Sequence, residues 1–451
     1  MALNRHMGSV HDIVVPLIQR DLIGPAKGKG IIVDFVTEDD DTAVYVAALV
    51  PLPTPEDHAI NRHLIHLHMT TGDVTVLSVK PVLIETDEME QILLDNKLGT
   101  LKTYQRISNE SSGTTYKVTV EEPDKPQLIV QLRFHGSVVS MNALQDYIRT
   151  KAPPGLPVPR TFPTISTNRS NGLQLQITEF IPSTMAEGVF KNLSIEDRVP
   201  IVRQMACAFA ALWELPVLKE NNDIGEAIAS PPGQPNGLLN ITVGPEERVG
   251  IGGPFNSVSG FLKAWVLHRL EKLEDQDGID EYQAMFLPSI RAFVHNKLDS
   301  RLPEGLDKIP VVLMHADLVL HNVLLSESPP FELAAVIDWE STLCLPFLCA
   351  VPPLIERMLQ EGLEGEKEPV LIASQPLREA FWNEIPAWKE LMTSPEGQAF
   401  LEWYEFGLYM VAEAVYMELD ASPEERMASW ERNISVVKRF LGIWGQEEPS
   451  L

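Results

Sequence analysis

Four side chains near the middle of the C-terminal half are of the types that phosphoryl transfer requires. The run His315-Ala316-Asp317-Leu318-Val319-Leu320-His321-Asn322 sets a histidine, a carboxylate and a carboxamide close together, and a second carboxylate, Asp338, follows 21 positions after Asp317. A phosphoryl group in flight carries heavy negative charge, so its transfer rests on neutralisation by Mg2+ and on alignment of the attacking hydroxyl. Asp338 and Asn322 supply the hard oxygen ligands that magnesium takes. Asp317, next to the metal but not on it, would accept or orient the hydroxyl proton. His315 would brace the loop from below. A competing reading needs no chemistry: a buried histidine, with an aspartate that caps a turn.

These residues must be delivered by ordered backbone. The apolar run Val311-Val312-Leu313-Met314 leads into His315, the chain returns as Val323-Leu324-Leu325, and a second short strand, Ala334-Ala335-Val336-Ile337, ends on Asp338. A hairpin of this kind gathers Asp317, Asn322 and Asp338 around one point. Upstream, Thr115–Val120, Gln127–Arg133 and Leu173–Thr178 read as strands, with one helix near Met141 to Thr150 and a proline-stiffened connection at Pro153, Pro154, Pro157 and Pro159. After Pro182 the period becomes helical, through Val199, Val202, Ala206, Phe209 and Trp213. Further helices are expected around Phe261 to Leu273, Tyr282 to Leu298, Leu401 to Leu419 and Glu424 to Trp444.

The set His315-Ala316-Asp317, Asn322 and Ile337-Asp338-Trp339-Glu340 resembles the signature of the aminoglycoside phosphotransferase and choline kinase-like small-molecule kinases: His-Gly-Asp, four residues, Asn, then Ile-Asp-Trp-Glu. Here alanine stands in place of the glycine. The resemblance implies an α+β, bilobal protein-kinase-like fold, with a small antiparallel β N-lobe with one helix over 86–182 and a larger, mostly helical C-lobe over 183–451. Residues 1–85 would be a strand-rich extension. It also implies ATP and Mg2+ as cofactors and a hydroxyl-bearing small molecule as substrate, with Asp317 as base.

By the same analogy Arg133 takes the place of the lysine that grips nucleotide phosphates, as a planar fork instead of a point charge. Ser111 and Gly113, in the turn Ser108–Thr114, would cover the phosphates, and backbone atoms of Glu179 and Ile181, in Ile177–Pro182, would hold adenine. Glu340 and Trp339 would meet the substrate; Trp265, Tyr282 and Trp403 offer further walls, and Gly252-Gly253-Pro254-Phe255 a lid. Each has a plain alternative: a surface strand arginine, a lobe-connecting strand, core aromatics, a glutamate that caps a turn. No glutamate lies between Ser137 and Pro153, where the helix would offer a partner to Arg133; Gln145 and Asp146 stand there instead. Two rivals to an active kinase follow, a catalytically silent nucleotide-binding protein and an enzyme that reuses the fold without ATP.

Bulk composition narrows the classes. The chain has 451 residues and a formal net charge of -27, which argues against nucleic acid as a partner. Three cysteines in apolar stretches without metal spacing suit a reducing, cytoplasmic setting, and no stretch is apolar and long enough for a membrane span. Two segments imitate sites. Gly24–Gly30 is rich in glycine and lysine but lacks the spacing and terminal Ser/Thr of a phosphate loop. His66 and His68 share one face of a strand, with no further ligand to complete a metal set.

Overall fold

Alternating apolar residues build the N-terminal sheets. The computed structural model describes the backbone of β1 (Ile31–Asp39), β2 (Thr42–Leu49), β3 (Leu64–Thr70) and β4 (Asp73–Lys80), which pair antiparallel in sequence order. It further describes residues 83–445, apart from 111–112, 134–136, 154, 164–173, 217–222, 231–239, 247–249, 277, 364–366 and 413–422. Gly24–Gly30 and Ser111 therefore lie outside the described residues, as do the side chains of His66 and His68.

Next come α1 (Thr86–Asp95), β5 (Leu101–Glu110), β6 (Gly113–Val120), β7 (Leu128–Arg133), α2 (Val138–Lys151), β8 (Thr161–Phe162) and β9 (Gln174–Glu179). The strands form one antiparallel sheet in the order β5-β6-β7-β9-β8. Strand alternation divides β7 cleanly. Leu128, Val130 and Leu132 are buried in one cluster with Met89 and Leu93 of α1, so that helix covers the sheet's outer face. Each such aliphatic contributes about 2 kcal/mol by burial. Ile129, Gln131 and Arg133 belong to the other face. Helix α1 was not expected from the sequence.

Helix α2 starts at Ser137, whose Oγ accepts the Ser140 N–H at 3.3 Å. Its apolar stripe, Val138, Met141, Leu144 and Ile148, joins the core of the larger lobe, not the cluster under α1. The helix thus lies between the sheet and the rest of the chain.

The larger lobe runs through β10 (Thr184–Met185), α3 (Ala186–Phe190), α4 (Ile195–Trp213), β11 (Gly225–Ser230), β12 (Asn240–Gly244), α5 (Val258–Asp275) and α6 (Asp280–Arg301). It continues with β13 (Val311–His315), β14 (Val323–Leu325), β15 (Leu333–Val336), β16 (Thr342–Pro346), α7 (Arg357–Gln360), α8 (Lys367–Glu384), α9 (Pro386–Thr393), α10 (Pro395–Met410), α11 (Pro423–Ser429) and α12 (Glu431–Trp444). Helices dominate, yet a four-stranded sheet ordered β12-β11-β16-β13 interrupts them, and β10-β14-β15 form a second. The expected Leu401–Leu419 helix is α10, whose last residue is Met410; the Glu424–Trp444 helix divides at Trp430 into α11 and α12. β11 reaches back to the N-lobe, where its Ala229 N–H donates to Ser140 Oγ of α2 at 2.9 Å.

Trp265, Tyr282 and Trp403 are core residues, at most 4% exposed, which removes them as substrate walls. The three cysteines are free thiols: Cys207 is exposed, whereas Cys344 and Cys349 are buried, and burial pushes Cys344 up to about 12. Among the described residues no helix is long and apolar enough to cross a membrane.

Candidate active site

Two antiparallel strand pairs frame the loop. β13 pairs with β16, His315 opposite Thr342, and β14 pairs with β15, Val323 opposite Val336. The joining segments, 316–322 and 337–341, are laced together: the Ile337 N–H donates to the Asn322 carbonyl at 3.0 Å and the Ala316 N–H to the Ser341 carbonyl at 2.7 Å.

His315, 1% exposed, fixes both segments at once. Its Nδ1 accepts the Asp317 N–H at 3.2 Å, so the ring proton sits on Nε2, which donates to the Ile337 carbonyl at 2.8 Å. The ring packs against Trp339, centroids 4.9 Å apart. Trp339 is 2% exposed and its Nε1–H donates to the Val336 carbonyl at 2.9 Å. The expectation that Trp339 meets substrate is therefore corrected: its ring fills the floor beneath the loop and presents no surface.

Asn322, 4% exposed, holds Asp317 twice, its Nδ2 donating to the backbone carbonyl at 2.8 Å and to Oδ2 at 3.0 Å. A second neighbour escaped the sequence reading. His321, treated there as a spacer in the motif, brings Nε2 to 3.6 Å from Asp317 Oδ2. The Asp317 carboxylate beside it raises the imidazole pKa against the opposing effect of burial. Glu187, Arg357 and Glu361 line a small hollow with His321.

Asp338 sits in the left-handed region, φ 66 and ψ 52. A non-glycine residue there carries a strain of about 1 kcal/mol, which the surroundings must hold in place. They do so through Arg133, whose Nη2 lies 2.8 Å from Asp338 Oδ1 and whose Nη1 lies 2.5 Å from Glu340 Oε2. The third edge of the guanidinium, Nε, donates to Gln176 Oε1 at 2.7 Å. Arg133 is 3% exposed, so it is no surface strand arginine. Burial opposes its charge, but the two carboxylates outweigh burial and push its pKa up.

Glu340 also departs from expectation. It was expected to face a substrate, yet it is 11% exposed and turns its carboxylate onto Arg133. The charge partners missing from α2 are thus Asp338 itself and Glu340, more than two hundred positions along the chain.

The remaining expected residues fall around this centre. Gly113 opens β6 opposite Glu110 on one side and Arg133 on the other, which places the end of the β5–β6 turn beside the cation. Glu179 closes β9, with its N–H donating to the Arg160 carbonyl at 2.8 Å, so that donor is engaged within the lobe. Phe180 follows under Lys117, whose Nζ lies 3.8 Å from the ring centroid, and the Ile181 carbonyl accepts from Ser183 Oγ at 2.7 Å. Among the described residues no three His, Cys, Asp or Glu side chains cluster as a metal cage.

The profile of the phosphotransferase enzyme family matches residues 103–349, more than half of the chain. Among curated proteins no relative matches the sequence. Among solved structures the chain is similar to an aminoglycoside phosphotransferase in complex with AMP-PNP and hygromycin B, at 16% identity and a TM-score of 0.46, covering 77% of this chain and 97% of that one. A spectinomycin phosphotransferase in complex with ADP and spectinomycin is similar at 14% identity and a TM-score of 0.42, covering 80% and 98%. An ethanolamine kinase of Plasmodium vivax is similar at 11% identity and a TM-score of 0.40, covering 76% and 83%.

Proposed function

We propose, on the premise that this chain belongs to the phosphotransferase enzyme family, that it moves the γ-phosphoryl group of ATP onto a hydroxyl of a small metabolite. One observation carries the reading: Asp317, Asn322, Asp338 and Arg133, delivered by three different sheets, meet in one hydrogen-bonded network.

Asp317 is the residue that receives the acceptor's proton. Its carboxylate is held by the Asn322 amide and its backbone by His315, so it need not reorganise when a hydroxyl arrives. With its nitrogen engaged by Asp317, Asn322 offers Oδ1, and Asp338 offers a carboxylate oxygen. These are hard donors, few in number, of the kind magnesium takes while keeping several waters, so the set fits Mg2+. When bound, the ion supplies neutralisation of phosphate charge. Arg133 supplies a fork matched to phosphate oxygens. The turn that ends at Gly113 would cover the phosphates with backbone amides, and the Glu179 carbonyl with the Ile181 backbone would border adenine. Three free thiols suit work in a reducing cytoplasm.

The test is labelled ATP offered with a metabolite extract to the wild-type chain and to Asp317→Asn. A labelled product that the variant fails to make supports the reading; equal product from both removes Asp317 as base. A second reading is favoured by one feature, the absence of a carboxylate on α2 facing Arg133: a nucleotide-binding protein without transfer. In that case MgATP raises the melting temperature and no labelled product forms with any extract.

A further inference from the structure

The face of the β5–β9 sheet that carries Arg133 also carries glutamines, and they continue into α2. We infer that Gln176 is a positioning residue for Arg133, one that ties the guanidinium to α2 through a chain of neutral amides. The inference rests on the phosphotransfer reading for its effect on ATP, though not for its effect on Arg133 itself.

Arginine has donors only, so Gln176 must present its oxygen to Arg133 Nε, at 2.7 Å. Its nitrogen then faces α2, donating to Asn142 Oδ1 at 3.0 Å and to Gln145 Oε1 at 3.4 Å. Gln145 in turn donates through Nε2 to the Pro159 carbonyl at 3.0 Å. Each amide is set by the one before it, and the chain runs in a single sense from guanidinium to backbone. Arg133, Gln176 and Gln145 are each 3% exposed. Buried amides are tolerated only when satisfied, and a satisfied network is rigid.

The chemistry differs from that of an ion pair. A helix carboxylate would both orient the cation and neutralise part of its charge. An amide orients Nε and leaves the charge to the two Nη groups, which point at Asp338 and Glu340. Those same groups are the fork a phosphate would take. The relay therefore fixes the plane of the guanidinium while Asp338 and Glu340 balance its charge, and α2 does the aiming without a glutamate.

The experiment uses the full chain with 15N-labelled arginine, the Arg133 Nε–H signal being assigned by its loss in Arg133→Lys. Gln176→Leu is expected to speed exchange of that proton with water about tenfold or more, and to lower kcat/KM for ATP about tenfold, while the KM of the acceptor stays unmoved. Gln176→Glu keeps an oxygen for Arg133 Nε but loses the donor to Asn142 and Gln145, and is expected to recover only part of kcat/KM for ATP. Asn142 is only partly buried. Asn142→Ala therefore gives a milder shift of the same sign, and keeps the test alive should Gln176→Leu fail to fold. Unchanged Nε–H exchange in Gln176→Leu overturns the inference, and so does faster exchange with an unmoved kcat/KM for ATP. Should the wild-type chain neither bind nor use MgATP, the phosphotransfer reading falls, and the exchange measurement alone decides whether the relay holds Arg133.

Discussion

The loop from His315 to Asn322 and the sheet face around Arg133 meet at one point, yet they are built by opposite means. In the loop the bonds that shape Asp317 come from residues two and five positions away, His315 and Asn322. Around Arg133 the partners stand 43, 205 and 207 positions away, at Gln176, Asp338 and Glu340. A site closed by local bonds leaves a motif in the sequence. One closed by tertiary contacts leaves only isolated polar letters inside apolar strands. The loop also holds its carboxylate with a histidine and an amide, whereas the sheet face holds its cation with two carboxylates and an amide, so the two halves lean on each other for charge balance.

The largest expected effect tests whether the loop is purely the chemical half. Asp317→Asn should cut turnover about 1000-fold, while nucleotide affinity, followed by calorimetric titration, stays within about threefold. Loss of nucleotide binding of comparable size would break the division, because it would show that the loop grips the nucleotide as well.

Next in size is the cation. Arg133→Met removes the partner of two poorly solvated carboxylates and should destabilise the ligand-free chain by about 3 kcal/mol, read as a lower urea midpoint. Arg133→Lys keeps a positive charge but not the three-edged fork, and should recover only part of the loss. A midpoint unmoved by Arg133→Met would mean that Asp338 and Glu340 reach water on their own, and that the sheet face does not organise Asp338.

What could be read in advance follows this same line. Asp317, Asn322 and Asp338 were legible because strand runs and a fixed spacing flank them, and β7, α2, α4, α5 and α6 because their apolar periods are regular. The partners of Arg133 are not legible: the resemblance points to a glutamate on the nearby helix, while the actual carboxylates are Asp338, expected to hold metal, and Glu340, expected to meet substrate. Trp339 was misplaced for a related reason, since an aromatic beside a catalytic residue looks the same in sequence whether it lines a cleft or fills a floor. The strands β11, β12 and β16 are not announced by the sequence because each is short and the sheet forms only when β11 meets β16 across a long stretch of chain, with β12 an edge beside β11, and α1 is not because nothing around it announces the sheet face it covers.

A smaller effect probes how α2 is held, since the relay to Arg133 is only as rigid as that helix. Ser140 Oγ takes the Ala229 N–H from β11, a bond between the lobes. Ser140→Ala should lower stability by about 1 kcal/mol, and should loosen α2 by hydrogen exchange before it loosens the loop. Equal loosening of both would show that the two halves open as one unit.

The smallest effect separates the halves by pH. His321 lies 3.6 Å from Asp317 and is half exposed, and Asp317 raises its pKa above the ordinary 6.5, with Glu187 and Asp338 acting in the same sense and burial against them. A basic group with a raised folded value stabilises the fold when protonated. Its contribution is fully present below the unfolded pKa and is lost as pH rises through the folded one. In the ligand-free chain the urea midpoint of wild type should therefore fall, relative to His321→Gln, between pH 6 and pH 8. The difference should be about half a kcal/mol, because the pair is screened by solvent, and added salt should shrink it. The amides beside Arg133 do not titrate, so Gln176→Leu should lower the midpoint equally at both pH values. A wild-type profile that tracks His321→Gln throughout would mean that Asn322 alone holds Asp317, and would leave both halves of the site equally indifferent to pH.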